Sequence, residues 1–163
     1  MIEYLPLVLT GLGLTASIIY YASVLRNANK TRQTQLFMNI YDKWSGEELS
    51  QAYRILRTIK FNDYNEFESF WKNDDPNNIE WSAAGKLAGF YEGVGVLVKE
   101  KLIDIRLIAL LMKGRTTQYY EMMKPYVVRY RQENNSDTFL IETEYLYNKL
   151  TKYIQEHPNY RNE

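Results

Sequence analysis

The stretch from Tyr4 to Leu25, YLPLVLTGLGLTASIIYYASVL, contains no charged residue over 22 positions. As a helix rising about 1.5 Å per residue it spans about 33 Å, the thickness of a bilayer's hydrocarbon core. The next ten residues, RNANKTRQTQ, carry Arg26, Lys30 and Arg32 and no acid, whereas Glu3 precedes the run. Basic residues stay on the cytoplasmic side of a span, so this order predicts an outside N-terminus, a cytosolic remainder, and contact of Arg26, Lys30 and Arg32 with lipid head groups. Three rival readings compete with it. A cleaved signal peptide would open on positive charge and end in a small-x-small site, but here the leader is acidic and Tyr20 stands three positions before any cut after Ala22. A buried core helix is the second, because Thr10, Thr15, Ser17 and Ser23 temper the apolar character. Reversed topology is the third: Asn29-Lys30-Thr31 and Asn134-Asn135-Ser136 fit the glycosylation pattern, which has meaning only outside the cytoplasm.

Past the run, the pattern stays helical. Leu36, Phe37, Ile40, Tyr41 and Trp44 share a face, and no Gly or Pro parts them from Leu25, so one long rod is expected. Ser45-Gly46-Glu47-Glu48 reads as a stop followed by a capping box, with Ser45 as cap and Glu48 reaching back. Further helices are expected over Leu49–Ile59, Tyr64–Lys72, Ile79–Lys99, a short one after the cap Asp104 that Gly114 stops, one kinked or broken at Pro125, and a last one after NNSD. No repeat or strand pattern is evident. The expectation is all-α: a transmembrane helix (1–25), a juxtamembrane helical extension (26–45) and a small cytosolic bundle (46–163).

Composition removes whole classes of function. The chain has 163 residues, 20 basic and 20 acidic, so it lacks the basic balance from which nucleic-acid binding is argued. With Cys 0 and His 1, cysteine-ligated metals and thiol nucleophiles are excluded, and His157 alone makes no metal site. There is no Gly-x-Ser-x-Gly and no Glu-x-x-His. The carboxylate pairs Glu47/Glu48, Asp74/Asp75 and Glu142/Glu144 are adjacent or alternate, do not share a helix face, and are expected to be solvated. No cofactor is expected. Local charge is uneven: residues 26–60 carry seven basic and three acidic side chains, residues 61–80 one basic and six acidic.

Gly93-Val94-Gly95 raises the question of a phosphate loop. Such a loop needs a preceding strand and a helix start, but here the helical pattern begins before Trp81. Gly85, Gly89 and Gly93 instead recur every four residues, one above another on a helix, each costing about 1 kcal/mol against Ala. That pattern predicts a closely packed second helix along the row. Gly13 and Ser17 form a similar seam in the apolar run, suited to packing inside a membrane. Glu92, beside the α-helical glycine row, is expected to be partly buried and to need a partner, with Arg57 first among the candidates and Arg54 and Arg115 behind it.

FYEGVGVLVKEKLIDIRLIALLMKGR, then YYEMMKPYVVRYRQENN and EYLYNKL, resemble a family of small bacterial and archaeal proteins of unknown function, the DUF4760 type. The resemblance covers residues 20–155 in layout and 81–150 in specific detail. It implies an all-α fold with one N-terminal membrane helix and transfers no catalytic residues. The resemblance implies a Gly, typical of the family, where this chain has Lys101, so the turn before Leu102-Ile103-Asp104 is expected to differ. Together these features suggest a non-catalytic, single-pass membrane protein whose partners are the bilayer and other membrane subunits or itself, an accessory or scaffold component. The alternative is a membrane-tethered sensor or effector of a small ligand.

Overall fold

The structure, a computed structural model, describes residues 4–73 and 75–160; Glu3 and Asp74 of the arguments above lie outside them. It comprises seven α-helices and a closing 3-10 turn: α1 Leu5–Ser45, α2 Glu47–Leu56, α3 Tyr64–Lys72, α4 Ile79–Lys99, α5 Ile105–Leu111, α6 Lys113–Glu133, α7 Ile141–Glu156 and the turn Pro158–Tyr160. Among the described residues there is no strand.

The 41-residue α1 is continuous, about 61 Å long at 1.5 Å per residue. Only its C-terminal end meets the bundle. Phe37 and Ile40 enter the core and Leu36, Tyr41 and Trp44 pack against it, while every described side chain from Leu7 to Gln35 is exposed. The C-terminal part of α1 is therefore also a wall of the bundle. α4 lies at the centre, between α2 and α7, and α6 packs against α7. The face Ala83, Ala84, Leu87, Tyr91, Val94 and Val98 of α4 is buried, and Tyr119, Met123 and Val127 of α6 are wholly enclosed. Tyr91 stacks on Tyr119 with ring centroids 4.8 Å apart. Burial pushes both phenols far above the usual tyrosine range.

Side-chain caps set several starts. Asp63 accepts from Glu66 N at 3.0 Å, Asn78 from Glu80 N at 2.9 Å and Asp104 from Arg106 N at 2.8 Å. Elsewhere the sequence-based expectations are corrected. No capping box forms at Ser45: its hydroxyl donates back to Asp42 O, Gly46 caps α2 without a side chain, and Glu48 pairs with Lys86 at 2.9 Å. The α5–α6 break falls at Met112 (φ −127°), where the enclosed Met112 anchors the turn, and Gly114 sits within the first turn of α6. Pro125 does not end α6. It faces solvent, so the carbonyl it leaves without a helix donor reaches water, while Met123 and Val127 on either side are held by the core. The last helix starts at Ile141, after Leu140 in the left-handed region (φ 52°), later than the NNSD segment suggests.

Candidate membrane interface and packing surfaces

Along the apolar part of α1 the hydroxyls are satisfied within the helix. Thr15 Oγ1 donates to Gly11 O and Ser17 Oγ to Gly13 O, each at 2.8 Å, and Ser23 Oγ to Ile19 O at 2.9 Å. These groups therefore offer lipid no unpaired donor. Leu7, Leu9, Leu12, Leu14, Ile18 and Ile19 stand fully in the open. This is one helix long and apolar enough to cross a membrane, and none of the apolar window is buried against the chain, which removes the reading of a core helix. Space around Gly11 and Gly13 is open too, so the Gly13–Ser17 seam has no partner within the chain.

Arg26, Lys30 and Arg32 follow, all exposed. They do not share a face. Arg26 and Lys30 lie one turn apart, whereas Arg32 turns towards the bundle and borders a cleft of 440 Å³ with Asn29, Gln33, Leu36 and Leu102. Gln33 Nε2 donates to Lys101 O at 3.1 Å, the point nearest the apolar run at which a hydrogen bond joins α1 to the bundle.

The glycine row of α4 behaves differently from expectation. A Cβ at Gly85, Gly89 or Gly93 would meet nothing within 4 Å, and Gly89 and Gly93 are exposed. Among the described residues no helix packs along that row. The close approach is made two residues further on, at Gly95, where a Cβ would fall 2.2 Å from Glu142 O. Two residues turn a helix by about 200°, so Gly93 and Gly95 face opposite sides, and α7 crosses on the Gly95 side. The spacing that drew attention to the row carried no information about which side was buried.

The expected Glu92–Arg57 ion pair is not formed. Arg57 is exposed, without a carboxylate partner among the described residues. Glu92 Oε1 instead accepts from both Thr143 N and Thr143 Oγ1, each at 2.7 Å. Because Leu140 supplies no cap to α7, a carboxylate from α4 takes that place, against the positive end of the helix. Arg115 also goes elsewhere: its guanidinium lies 4.9 Å from the Trp44 ring centroid and bonds Ser50 Oγ at 3.2 Å.

Glu142 and Glu144 are not the solvated pair that their alternation suggests. Both are half-buried; Glu142 meets Lys99 at 2.7 Å and Glu144 meets Arg131 Nη1 at 2.6 Å, while Arg131 Nε donates to Phe139 O at 2.8 Å. The hydrogen bond to Glu142, with that carboxylate's charge behind it, holds the Lys99 ammonium above its usual range. The first turn of α7 is thus tied to α4 and α6 by three carboxylates, Glu92, Glu142 and Glu144. Sequence reasoning missed this junction because its partners lie 43 and 51 residues apart on the α4 side and 13 apart on the α6 side.

The Lys101 turn keeps the form a glycine would give it. Lys101 takes φ 58°, Leu102 N bonds Leu97 O at 2.9 Å and Lys101 N bonds Val98 O at 3.1 Å, the paired bonds of a left-handed helix terminus.

Among the described residues no group of three or more His, Cys, Asp or Glu side chains gathers to hold a metal. Between Trp44, Leu87, Tyr91 and Arg115 the core leaves no room for a water molecule. No curated protein and no solved structure matches the chain. The model of a domain of unknown function, DUF4760, matches residues 7–150, which takes in the apolar part of α1 and all the helices up to the tenth residue of α7. The chain belongs to the DUF4760 family.

Proposed function

We propose that this protein is a non-catalytic, single-pass membrane-anchored interaction protein, a subunit of a larger membrane assembly formed with other chains or with itself. The observation that carries the reading is the bare, uncharged 22-residue stretch at the start of a helix whose far end is built into the bundle core. An apolar surface of that extent is not left in water by a soluble monomer, and an all-round apolar helix belongs in lipid or in a core. The basic flank supports an outside N-terminus and a cytoplasmic bundle. The open glycine rows of α1 and α4 support association, because small residues let backbones approach.

Fractionation of the full chain tests the anchor. The protein is expected in the membrane pellet and in the detergent extract; recovery from the supernatant after ultracentrifugation without detergent overturns it. Cross-linking and native electrophoresis in mild detergent test the assembly, and migration as a lone monomer counts against the subunit reading while leaving the anchor intact.

A further inference from the structure

Most cations on the bundle are engaged. Arg54, Lys72, Lys86, Lys99, Arg106, Arg129, Arg131 and Lys152 have carboxylate partners, and Arg115 and Lys124 lie over aromatic rings. Lys43, Arg57 and Lys60 also form no ion pair among the described residues, and where α1 leaves the bundle three more such cations gather. Arg32, Lys101 and Lys149 form no ion pair among the described residues, yet they border two neighbouring clefts of 440 and 310 Å³ that share Gln33. Asp104, the acid bordering the smaller cleft, is drawn to Arg106 at 3.9 Å. Leu102 stands at the mouth, 46% exposed.

The position of these clefts is set by α1. Asn29 and Gln33 lie four and eight residues beyond Leu25, or about 6 and 12 Å along the helix axis. A bilayer's polar layer extends about 5–8 Å beyond the hydrocarbon core on each side, so with Tyr4–Leu25 in lipid the α4–α5 turn meets the outer edge of the head groups. Free cations surrounding an exposed leucine at that height match an interfacial surface, with charge for phosphate and an apolar tip that enters the head-group layer.

We propose that the crevice between α1 and the α4–α5 turn binds the phosphate of an anionic lipid, with Arg32, Lys101 and Lys149 supplying the charge and Leu102 entering the interface, so that the bundle is clamped against the membrane rather than hanging free on α1. The proposal rests on the membrane-anchor reading above.

The chain has no cysteine, so single nitroxide labels can be placed at Leu102→Cys and, as a check on the anchor, at Leu14→Cys. The full chain is reconstituted in nanodiscs of phosphatidylcholine alone or with phosphatidylglycerol, and label exposure is read with a water-soluble nickel chelate against oxygen. The expected result is that phosphatidylglycerol shields the label at 102. Each of Arg32→Gln, Lys101→Gln and Lys149→Gln lowers the ratio of shielded to free label about fivefold, the equivalent of about 1 kcal/mol per cation. Raising ionic strength from about 0.1 M to about 1 M, which shortens the screening length from about 10 Å to about 3 Å, releases it. A label at 102 equally exposed in both bilayers, with the label at 14 in lipid, overturns the crevice and leaves the anchor standing. A label at 14 exposed to water overturns the anchor and the crevice with it. Shielding produced by inorganic phosphate in phosphatidylcholine discs overturns the lipid as the source.

Discussion

The apolar run of α1 and the helix α4 are close to equal in length, 22 and 21 residues, and each carries glycines. Their surroundings are opposite. α4 buries one side against α2 and α7 and meets the backbone of α7 at Gly95, while the described side chains of the α1 run are exposed. What separates them is how the polar residues are placed. α4 alternates a buried face with one bearing Lys86, Glu92 and the open glycines, as a helix on an aqueous bundle must. The α1 run is apolar on every side. The comparison teaches that glycine spacing within a helix does not distinguish a packed face from an open one; the neighbouring side chains do.

The largest effect should come where that comparison is sharpest. Gly95→Ala drives a methyl group into the Glu142 carbonyl, backbone against backbone, which no rotamer change relieves. A loss of about 3 kcal/mol or more is expected, at the upper end of overpacking penalties. Gly11→Ala and Gly13→Ala, with open space around them, should show no such loss. Urea denaturation of the full chain in detergent, followed by helical circular dichroism, reads both. Equal effects at Gly95 and Gly13 would mean that α7 does not cross α4 where the structure places it.

Next in size is Glu92. Glu92→Ala removes the only cap that α7 receives from Glu92 and leaves the buried Thr143 N–H and hydroxyl without their acceptor, a cost of about 2 kcal/mol. Glu92→Gln keeps an acceptor and loses the charge–dipole part, about 0.3–1 kcal/mol. Arg57→Ala should be close to neutral, because the guanidinium is exposed and unpaired. A large effect at Arg57 that vanishes in the Glu92 variant would restore the ion pair the structure denies.

How much of this was open to sequence reading depends on range. The bounds of α3 and α4 follow from local caps and apolar spacing, and both match the expected Tyr64–Lys72 and Ile79–Lys99. So does the cap at Asp104, and so does the continuity of α1 through Trp44. What failed was decided at a distance. The acceptor for the start of α7 comes from α4, and the buried glycine was identified by the crossing of α7, not by any repeat. The Met112 break and the uninterrupted helix through Pro125 are likewise set by enclosed neighbours, Met112 and Met123, that override local propensity.

An alkaline titration probes the core that α4 shares with α6. Tyr91 and Tyr119 are held neutral by burial, with phenol pKa values raised far above the unfolded value of about 10. A raised folded pKa means that the native state holds its protons more tightly than the unfolded chain. The stability this confers is complete below pH about 10 and is lost as pH climbs towards the folded values. Unfolding should therefore coincide with phenolate absorbance for these two tyrosines. Gradual ionisation of all the tyrosines with helicity unchanged would show that the α4–α6 core admits water.

Gly89→Ala and Gly93→Ala bear on the open row. In the isolated chain each should stabilise by about 1 kcal/mol, since Ala is the better helix former and its methyl meets no atom within 4 Å. If a partner chain packs there, the same substitutions weaken the assembly while strengthening the monomer, and cross-linking yield falls as thermal stability rises. That divergence would identify the row as an intermolecular surface; parallel gains in both would leave it an ordinary exposed face.

The smallest effect belongs to Lys101, where fold and proposed lipid contact pull apart. A lysine at φ 58° carries backbone strain of about 1 kcal/mol or more that glycine would not, partly offset by the greater freedom glycine has when unfolded. Lys101→Gly should therefore raise stability by about 0.5 kcal/mol and keep the bonds from Leu102 N and Ile103 N to Leu97 O. Lys101→Gln keeps the strain and removes the charge. Under the crevice proposal both variants lose the same share of anionic-lipid shielding at position 102, although only the glycine stabilises the bundle. If shielding instead tracks stability, with glycine improving it and glutamine not, then the turn's conformation and not its charge controls the approach of the bundle to the membrane.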